Sequence, residues 1–246
     1  VNDEHGVNPA RPHQKLTADG RRMREVLTYS RRGSRFTPQQ AAAWETHHED
    51  WVIPDEAVDE AGFSLDSWFG RGPEDREGLI VEIGSGVGEA TAALAAQRPS
   101  YDVLALEVWR PGVAATLGRL AEAGAGNVRL CGVDAVWSLE HLLGPGSVTE
   151  LWTFFPDPWH KKRHHKRRLV TPAFAALAAA RLLPGGVWRL ATDWEDYAEQ
   201  MVEVLDAEPA FEGGVVERWA ERPVTKFERK GVAAGRAITD LAYRRR

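Results

Sequence analysis

The spacing of apolar and polar positions changes character near residue 79. Upstream, residues 1–20 mix Pro, Asn, Asp, Gly and His with no apolar period, which predicts a flexible tail. Residues 38–70 scatter Trp44, Trp51, Val52, Ile53, Phe63, Leu65 and Trp68 among acids, a pattern suited to packing on a larger body. Gly70 to Gly78 reads as a polar linker. The expected organisation is a tail over 1–20, a basic then acidic extension over 21–78 that packs on the domain, and a domain over 79–246.

Within that domain, apolar runs of strand length fall at Leu79–Ile83, Tyr101–Val108, Val128–Val133, Val148–Phe155 and Val187–Thr192. Between them lie helical stretches at Glu89–Arg98, Pro111–Ala123, Val136–Leu143 and Thr171–Leu183, and another from Asp193 to about Ala207. Pro111 and Pro172 fall in first turns, Asp193 is placed to cap the last helix, and Pro184-Gly185-Gly186 is placed to stop the one before it. Residues 209–232 predict irregular chain, and Ala237–Arg244 alternates as a closing strand. Strands this continuously apolar, alternating with helices, predict a doubly wound parallel sheet covered on both faces. Ligands in such sheets sit at the carboxyl ends of the strands, near the point where strand order reverses.

Composition narrows the class. A chain of 246 residues with 43% hydrophobic and 27% charged residues suits one α/β domain with a full core. No apolar run is long enough to span a bilayer, the first twenty residues lack the apolar stretch of a secretory signal, and the cytoplasm is the expected compartment. One cysteine, Cys131, excludes a disulfide framework and a cysteine-based zinc site. His160 and His164 stand four apart with no third ligand type beside them, so no metal is expected. The net charge of −5 is unevenly spread. Residues 11–35 carry eight Lys/Arg against two acids, residues 45–77 eleven acids against two bases, and residues 161–168 six Lys/Arg in eight positions. A local basic ridge of that kind suits a polyanion, whatever the overall sign.

The strand ends carry the candidate chemistry. The first loop, Gly84-Ser85-Gly86-Val87-Gly88, permits a tight turn and close ligand approach. It matches neither the dinucleotide fingerprint nor a P-loop. Glu82 is a carboxylate in an otherwise apolar strand and needs a hydrogen-bonding partner, either an ammonium on a ligand or loop amides. Glu107, about 20 residues past the glycines, is placed to accept from ribose hydroxyls, a device that nicotinamide and adenosylmethionine sites share. Asp134 ends the third strand, where it would bond an adenine amine or cap the next helix. After the fourth strand, Pro156 and Pro158 bracket Asp157 and stiffen it beside Trp159, and the basic ridge follows at once.

Several blocks, in order, carry a resemblance: Val81-Glu82-Ile83-Gly84, Glu107-Val108, Asp134-Ala135, Phe154-Phe155-Pro156-Asp157-Pro158-Trp159-His160-Lys161, Ala191-Thr192-Asp193-Trp194-Glu195 and Arg222-Pro223-Val224-Thr225-Lys226-Phe227-Glu228. From about residue 22 onward the chain resembles the bacterial tRNA (guanine-N7-)-methyltransferase family, TrmB. The resemblance implies a Rossmann-like class I methyltransferase fold with a mostly parallel seven-stranded sheet. It also implies S-adenosylmethionine as methyl donor, and tRNA as substrate, methylated at N7 of the variable-loop guanine (position 46). Glu82, Gly84, Gly86, Glu107, Asp134, Ala135 and Asp157 would line the donor site, with Asp157 the candidate catalytic residue. Lys161, Asp193, Thr225, Lys226, Phe227 and Glu228 would contact the tRNA, and Arg163, Lys166, Arg167 and Arg168 its backbone. Rival readings are a methyltransferase acting on a small molecule or protein, a non-catalytic RNA-binding protein of the same fold, and a nicotinamide dehydrogenase, which the glycine spacing disfavours. A monomer and a homodimer are both compatible with the sequence.

Overall fold

A computed structural model describes Thr28, Tyr29 and residues 33–60 and 62–246. The expected tail, residues 1–20, lies outside the described residues. The strands are β1 (Val52–Ile53), β2 (Gly78–Ile83), β3 (Tyr101–Leu106), β4 (Val128–Cys131), β5 (Val148–Phe154), β6 (Leu182–Thr192), β7 (Phe211–Val216) and β8 (Thr239–Arg245). The helices are α1 (Pro38–Trp51), α2 (Leu65–Phe69), α3 (Glu89–Ala96), α4 (Arg110–Ala123), α5 (Ala135–His141), α6 (Pro172–Arg181), α7 (Glu195–Ala207) and α8 (Lys226–Ala233). The strands form one sheet in the order β1-β4-β3-β2-β5-β6-β8-β7. β8 runs antiparallel to both β6 and β7, and the other pairings are parallel.

The central strands are apolar on both sides because both sides are covered. In β2, Leu79, Val81 and Ile83 enter a core shared with α5, α6 and α7. Ile80 faces the opposite core, built on α3 and α4. β3 splits the same way, with Leu104 and Leu106 on the first face and Val103 and Ala105 on the second. The period-two alternation of a strand thus serves two cores at once. Order reverses at β2, which has β3 on one side and β5 on the other. That pair of neighbours fixes where a crevice opens.

The sheet has eight strands where seven were expected. The addition is β1, two residues of the extension that pair with Leu130 and Cys131 and cover the β4 edge. Other parts of the extension make individual contacts with the helices and strands beside them. Helix α1, opened by a Thr37–Gln40 capping box, lies on α4, where Gln40 Nε2 donates to the Pro111 carbonyl at 2.9 Å. Trp51 Nε1 donates to the Ala125 carbonyl at 3.0 Å. The stretch read as a polar linker is fastened: Arg71 and Arg76 reach the fully buried Asp102 carboxylate of β3 at 2.6 and 2.7 Å.

Two further expectations are corrected. Helix α6 already ends at Arg181, and Pro184-Gly185-Gly186, expected to stop it, bulges within β6, whose pairing with β5 jumps from Leu182–Val148 to Val187–Glu150. Residues 209–232 are not irregular throughout, since they hold β7 and most of α8. β7 pairs along its length with β8 although Glu212, Val215 and Val216 are exposed, so its burial pattern carries little strand signal.

Candidate active site

A cleft opens at the carboxyl ends of β2, β3, β4 and β5. Gly84, Gly86, Glu107, Asp134, Ala135 and Asp157 line it, together with the apolar Ile83, Leu106, Val133 and Leu169. At Gly84 the backbone is left-handed (φ +73°) and open space lies where a Cβ would stand. A ligand can therefore lie directly on the peptide. α4 closes in on the same loop: a Cβ on Gly112 would stand 2.2 Å from the Gly86 carbonyl, so this position demands glycine. Nothing in the spacing of the sequence marked Gly112.

The Glu107 carboxylate accepts from the Gly86 amide at 2.8 Å and from the Trp109 amide at 2.7 Å. It ties the glycine loop to the loop after β3 and lines the cleft between them. Asp134 caps α5, accepting from the amides of Val136 and Trp137, and still lines the cleft. The cap that the sequence offered as one alternative is present, and it leaves the residue in the cleft wall. Within the protein, Glu82 is held by a side chain rather than by the loop amides expected as one alternative. It is buried beneath the cleft rather than in its wall, and accepts from Thr91 Oγ1 of α3 at 2.5 Å. Burial pushes its pKa up to about 7; the Thr91 bond opposes that shift and the Glu107 charge adds to it.

After β5 the chain turns sharply. Phe155 and Trp159 adopt left-handed backbone, φ 55° and 46°, on either side of Pro156-Asp157-Pro158. Such conformations cost about 1–3 kcal/mol each in non-glycine residues and persist where the surroundings enforce them. They aim Asp157 into the cleft. The ridge that follows winds into a 3-10 turn, Lys162–Arg167. Lys161, Lys162, Arg163 and Lys166 are exposed on it. Desolvation and the charges of Arg163, Arg167 and Lys161 lower the pKa of His164, a sign of concentrated positive field. Arg168 turns inward, which corrects its assignment to the RNA backbone: it is 2% exposed and donates to the Pro158 carbonyl, to Gln200 and to Asp196. His160 stacks on Trp194 while His164 meets Trp159 edge-on. Among the described residues no cluster of three or more His, Cys, Asp or Glu is placed to hold a metal.

The Thr225–Glu228 block divides in the same way. Thr225 is buried and caps α8, and Glu228 is buried between Arg218 and Arg222, at 2.8 and 2.5 Å. Burial raises the Glu228 pKa, but the two guanidinium partners outweigh it and hold the carboxyl below its ordinary value. Both residues are scaffold here, not exposed contacts. Lys226 and Phe227 face outward, and Phe227 closes the cleft above Gly86. Glu89 holds them there by accepting from the Lys226 amide at 2.5 Å and from Arg229 at 2.6 Å. Asp193 does not cap α7, whose N-cap is Trp194. It pairs instead with Arg236 at 2.7 Å.

Fold and site together define a Rossmann-type methyltransferase: a glycine loop after the first central strand, acids after the next strands, and strand order reversing between them. The family model described as "Putative methyltransferase" matches residues 76–241. A tRNA (guanine-N(7)-)-methyltransferase of Nocardioides sp. (strain ATCC BAA-499 / JS614) is 73% identical over 98% of this chain and 96% of its own length. One of Cutibacterium acnes (strain DSM 16379 / KPA171202) is 48% identical over 90% of this chain and 84% of its own. The crystal structure of the 16S rRNA methyltransferase KamB aligns with a TM-score of 0.54 at 18% identity, over 76% of this chain and 97% of that one, a likeness of fold alone. The chain belongs to the tRNA (guanine-N(7)-)-methyltransferase family.

Proposed function

We propose that this protein transfers a methyl group from S-adenosylmethionine to N7 of a guanine in tRNA, the variable-loop guanine that the family resemblance implies. One observation carries the reading: a cleft ringed by Glu107, Asp134 and Asp157 lies beside an exposed ridge of Lys161, Lys162, Arg163 and Lys166. A small-molecule methyltransferase would need the cleft but not the ridge.

The residues fit the donor. The open backbone at Gly84 would hold its amino-acid end, near the buried Glu82. Glu107 and Asp134 line the cleft where ribose hydroxyls and an adenine amine would lie, between the apolar faces of Val133 and Leu169. When bound, the donor supplies an electrophilic methyl on a sulfonium. Guanine N7 offers an in-plane lone pair and no proton, so no general base is required. The chain's task is alignment, which in favourable cases lowers a barrier by about 7–11 kcal/mol. As the C–N bond forms, positive charge moves onto the imidazole ring of the base. Asp157, held by two prolines, is positioned to orient the base and balance that charge. Phe227, more than a third exposed at the cleft mouth, offers a ring for the base to stack on, worth about 1–3 kcal/mol.

The test is transfer of labelled methyl from S-adenosylmethionine to tRNA transcripts, with the modified nucleotide mapped. Asp157→Ala is expected to lower the single-turnover rate at least 100-fold with donor binding largely retained. An unchanged rate removes Asp157 from the chemistry, and label on a nucleotide other than a variable-loop guanine changes the substrate assignment.

A further inference from the structure

The cleft has a wall that belongs to neither the sheet nor the helices behind it. Thr28 and Tyr29 line it, on the side of the glycine loop's opposite partner, the Asp157 loop. Neither residue falls in any of the blocks that carry the family resemblance. Their backbone is gripped by side chains of the loop after β5. Trp159 Nε1 donates to the Thr28 carbonyl at 3.0 Å and Arg167 Nη2 to the Tyr29 carbonyl at 3.3 Å. The Arg167 guanidinium also lies 3.6 Å from the centre of the Trp159 ring. From the loop after β3, Trp109, itself a lining residue, donates its indole N–H to the Gly33 carbonyl at 2.8 Å.

We propose that Trp159 and Arg167 are positioning residues for the methyl-donor pocket, holding the Thr28–Tyr29 backbone as its outer wall. The proposal rests on the reading of this cleft as the S-adenosylmethionine site. Three features support it. The left-handed backbone at Trp159 is a strained conformation, and this indole is the group it delivers to Thr28. Both grips end on main-chain carbonyls, so they fix the course of the chain and leave the Thr28 and Tyr29 side chains to line the cleft. Arg167 is half-buried within a ridge whose neighbours Arg163 and Lys166 are exposed, consistent with a guanidinium committed to the protein itself. The arrangement joins the two ligands' territories: the segment that presents cations to RNA also holds the donor pocket shut.

The experiment measures S-adenosylhomocysteine binding by calorimetry, without tRNA, for the full-length protein and for Trp159→Phe, Tyr29→Ala and the double variant. Phenylalanine keeps an aromatic ring under Arg167, although a smaller one, and removes the N–H donor. Trp159→Phe and Tyr29→Ala are each expected to weaken binding about 5- to 10-fold, and the double variant no more than either alone, since both act through one wall. Thermal melting within a degree or two of the parent identifies a local effect. Arg167→Met, which keeps the stem but loses the donor, is expected to behave likewise. Unchanged affinity in Trp159→Phe, or losses that multiply in the double variant, overturns the proposal. If the parent protein itself fails to bind S-adenosylhomocysteine, it is the donor-site reading that falls.

Discussion

Glu82 shows how far a single side chain can be read in advance. The sequence marks it as an anomaly, a carboxylate within an apolar strand, but does not say which neighbour satisfies it. Thr91, nine residues on, does so because α3 packs its first turns over the end of β2. The resulting pKa of about 7 has a definite sign for stability. Between the ordinary carboxyl value of 4.5 and about 7 the folded state holds a proton that the unfolded state has lost, so stability falls as pH rises through that window, by on the order of 3 kcal/mol, and levels off above it. Glu82→Gln is expected to abolish this slope and to raise the Tm above pH 7; melting curves from pH 5 to 8 for both proteins measure it. A donor ammonium bound beside Glu82 favours the ionised form. S-adenosylhomocysteine binding near pH 6.5 should then release protons, read as a dependence of the calorimetric enthalpy on buffer ionisation. No proton release would separate Glu82 from the donor.

At the scale of elements, the basic ridge is the instructive case. Six Lys/Arg in eight positions look equivalent along the sequence. The 3-10 turn separates them by direction. Lys161, Lys162, Arg163 and Lys166 face outward, Arg167 lies over Trp159, and Arg168 is inserted between the Pro158 turn and α7. Arg168→Ala should therefore act on stability. It strands the partners of a buried guanidinium, at a cost of about 1–3 kcal/mol, and lowers the Tm by several degrees. Lys166→Ala should leave the melting temperature alone and act on RNA. Helix α8 makes a similar division: Thr225 and Glu228 build the helix start, and Lys226 and Phe227 are what it presents. Periodicity could not reveal this, because the arginines that bury Glu228 lie in the irregular chain before the helix.

Across the whole molecule, charge and layering decide what the site can meet. The formal net charge is negative, yet the surface beside the cleft is a cation ridge. Binding of tRNA should therefore weaken steeply with salt. Each exposed cation that touches phosphate contributes about 0.7–0.9 to the slope of log K against log salt, so Lys166→Ala should flatten that slope by roughly this amount while Arg168→Ala leaves it unchanged. Filter binding over a range of potassium chloride concentrations gives both slopes, and equal slopes for all three proteins would make the ridge a solvated face. The extension is integral at this scale too. It adds an edge strand, anchors on the buried Asp102 and, through Thr28 and Tyr29, lines the cleft.

The alternation of short apolar strands with helices, and the acids and glycines that interrupt it at strand ends, were local facts. They sufficed to place the parallel sheet, the end at which the cleft opens and five of the residues that line it, Gly84, Gly86, Glu107, Asp134 and Asp157, because period and composition reflect which faces are buried. Direction and partnership were not local. Which cations face solvent, which acid lies under the floor rather than in the wall, why Gly112 must lack a side chain and what closes the outer side of the cleft all depend on groups distant along the chain. Those choices exist only once packing has brought the groups within hydrogen-bonding reach.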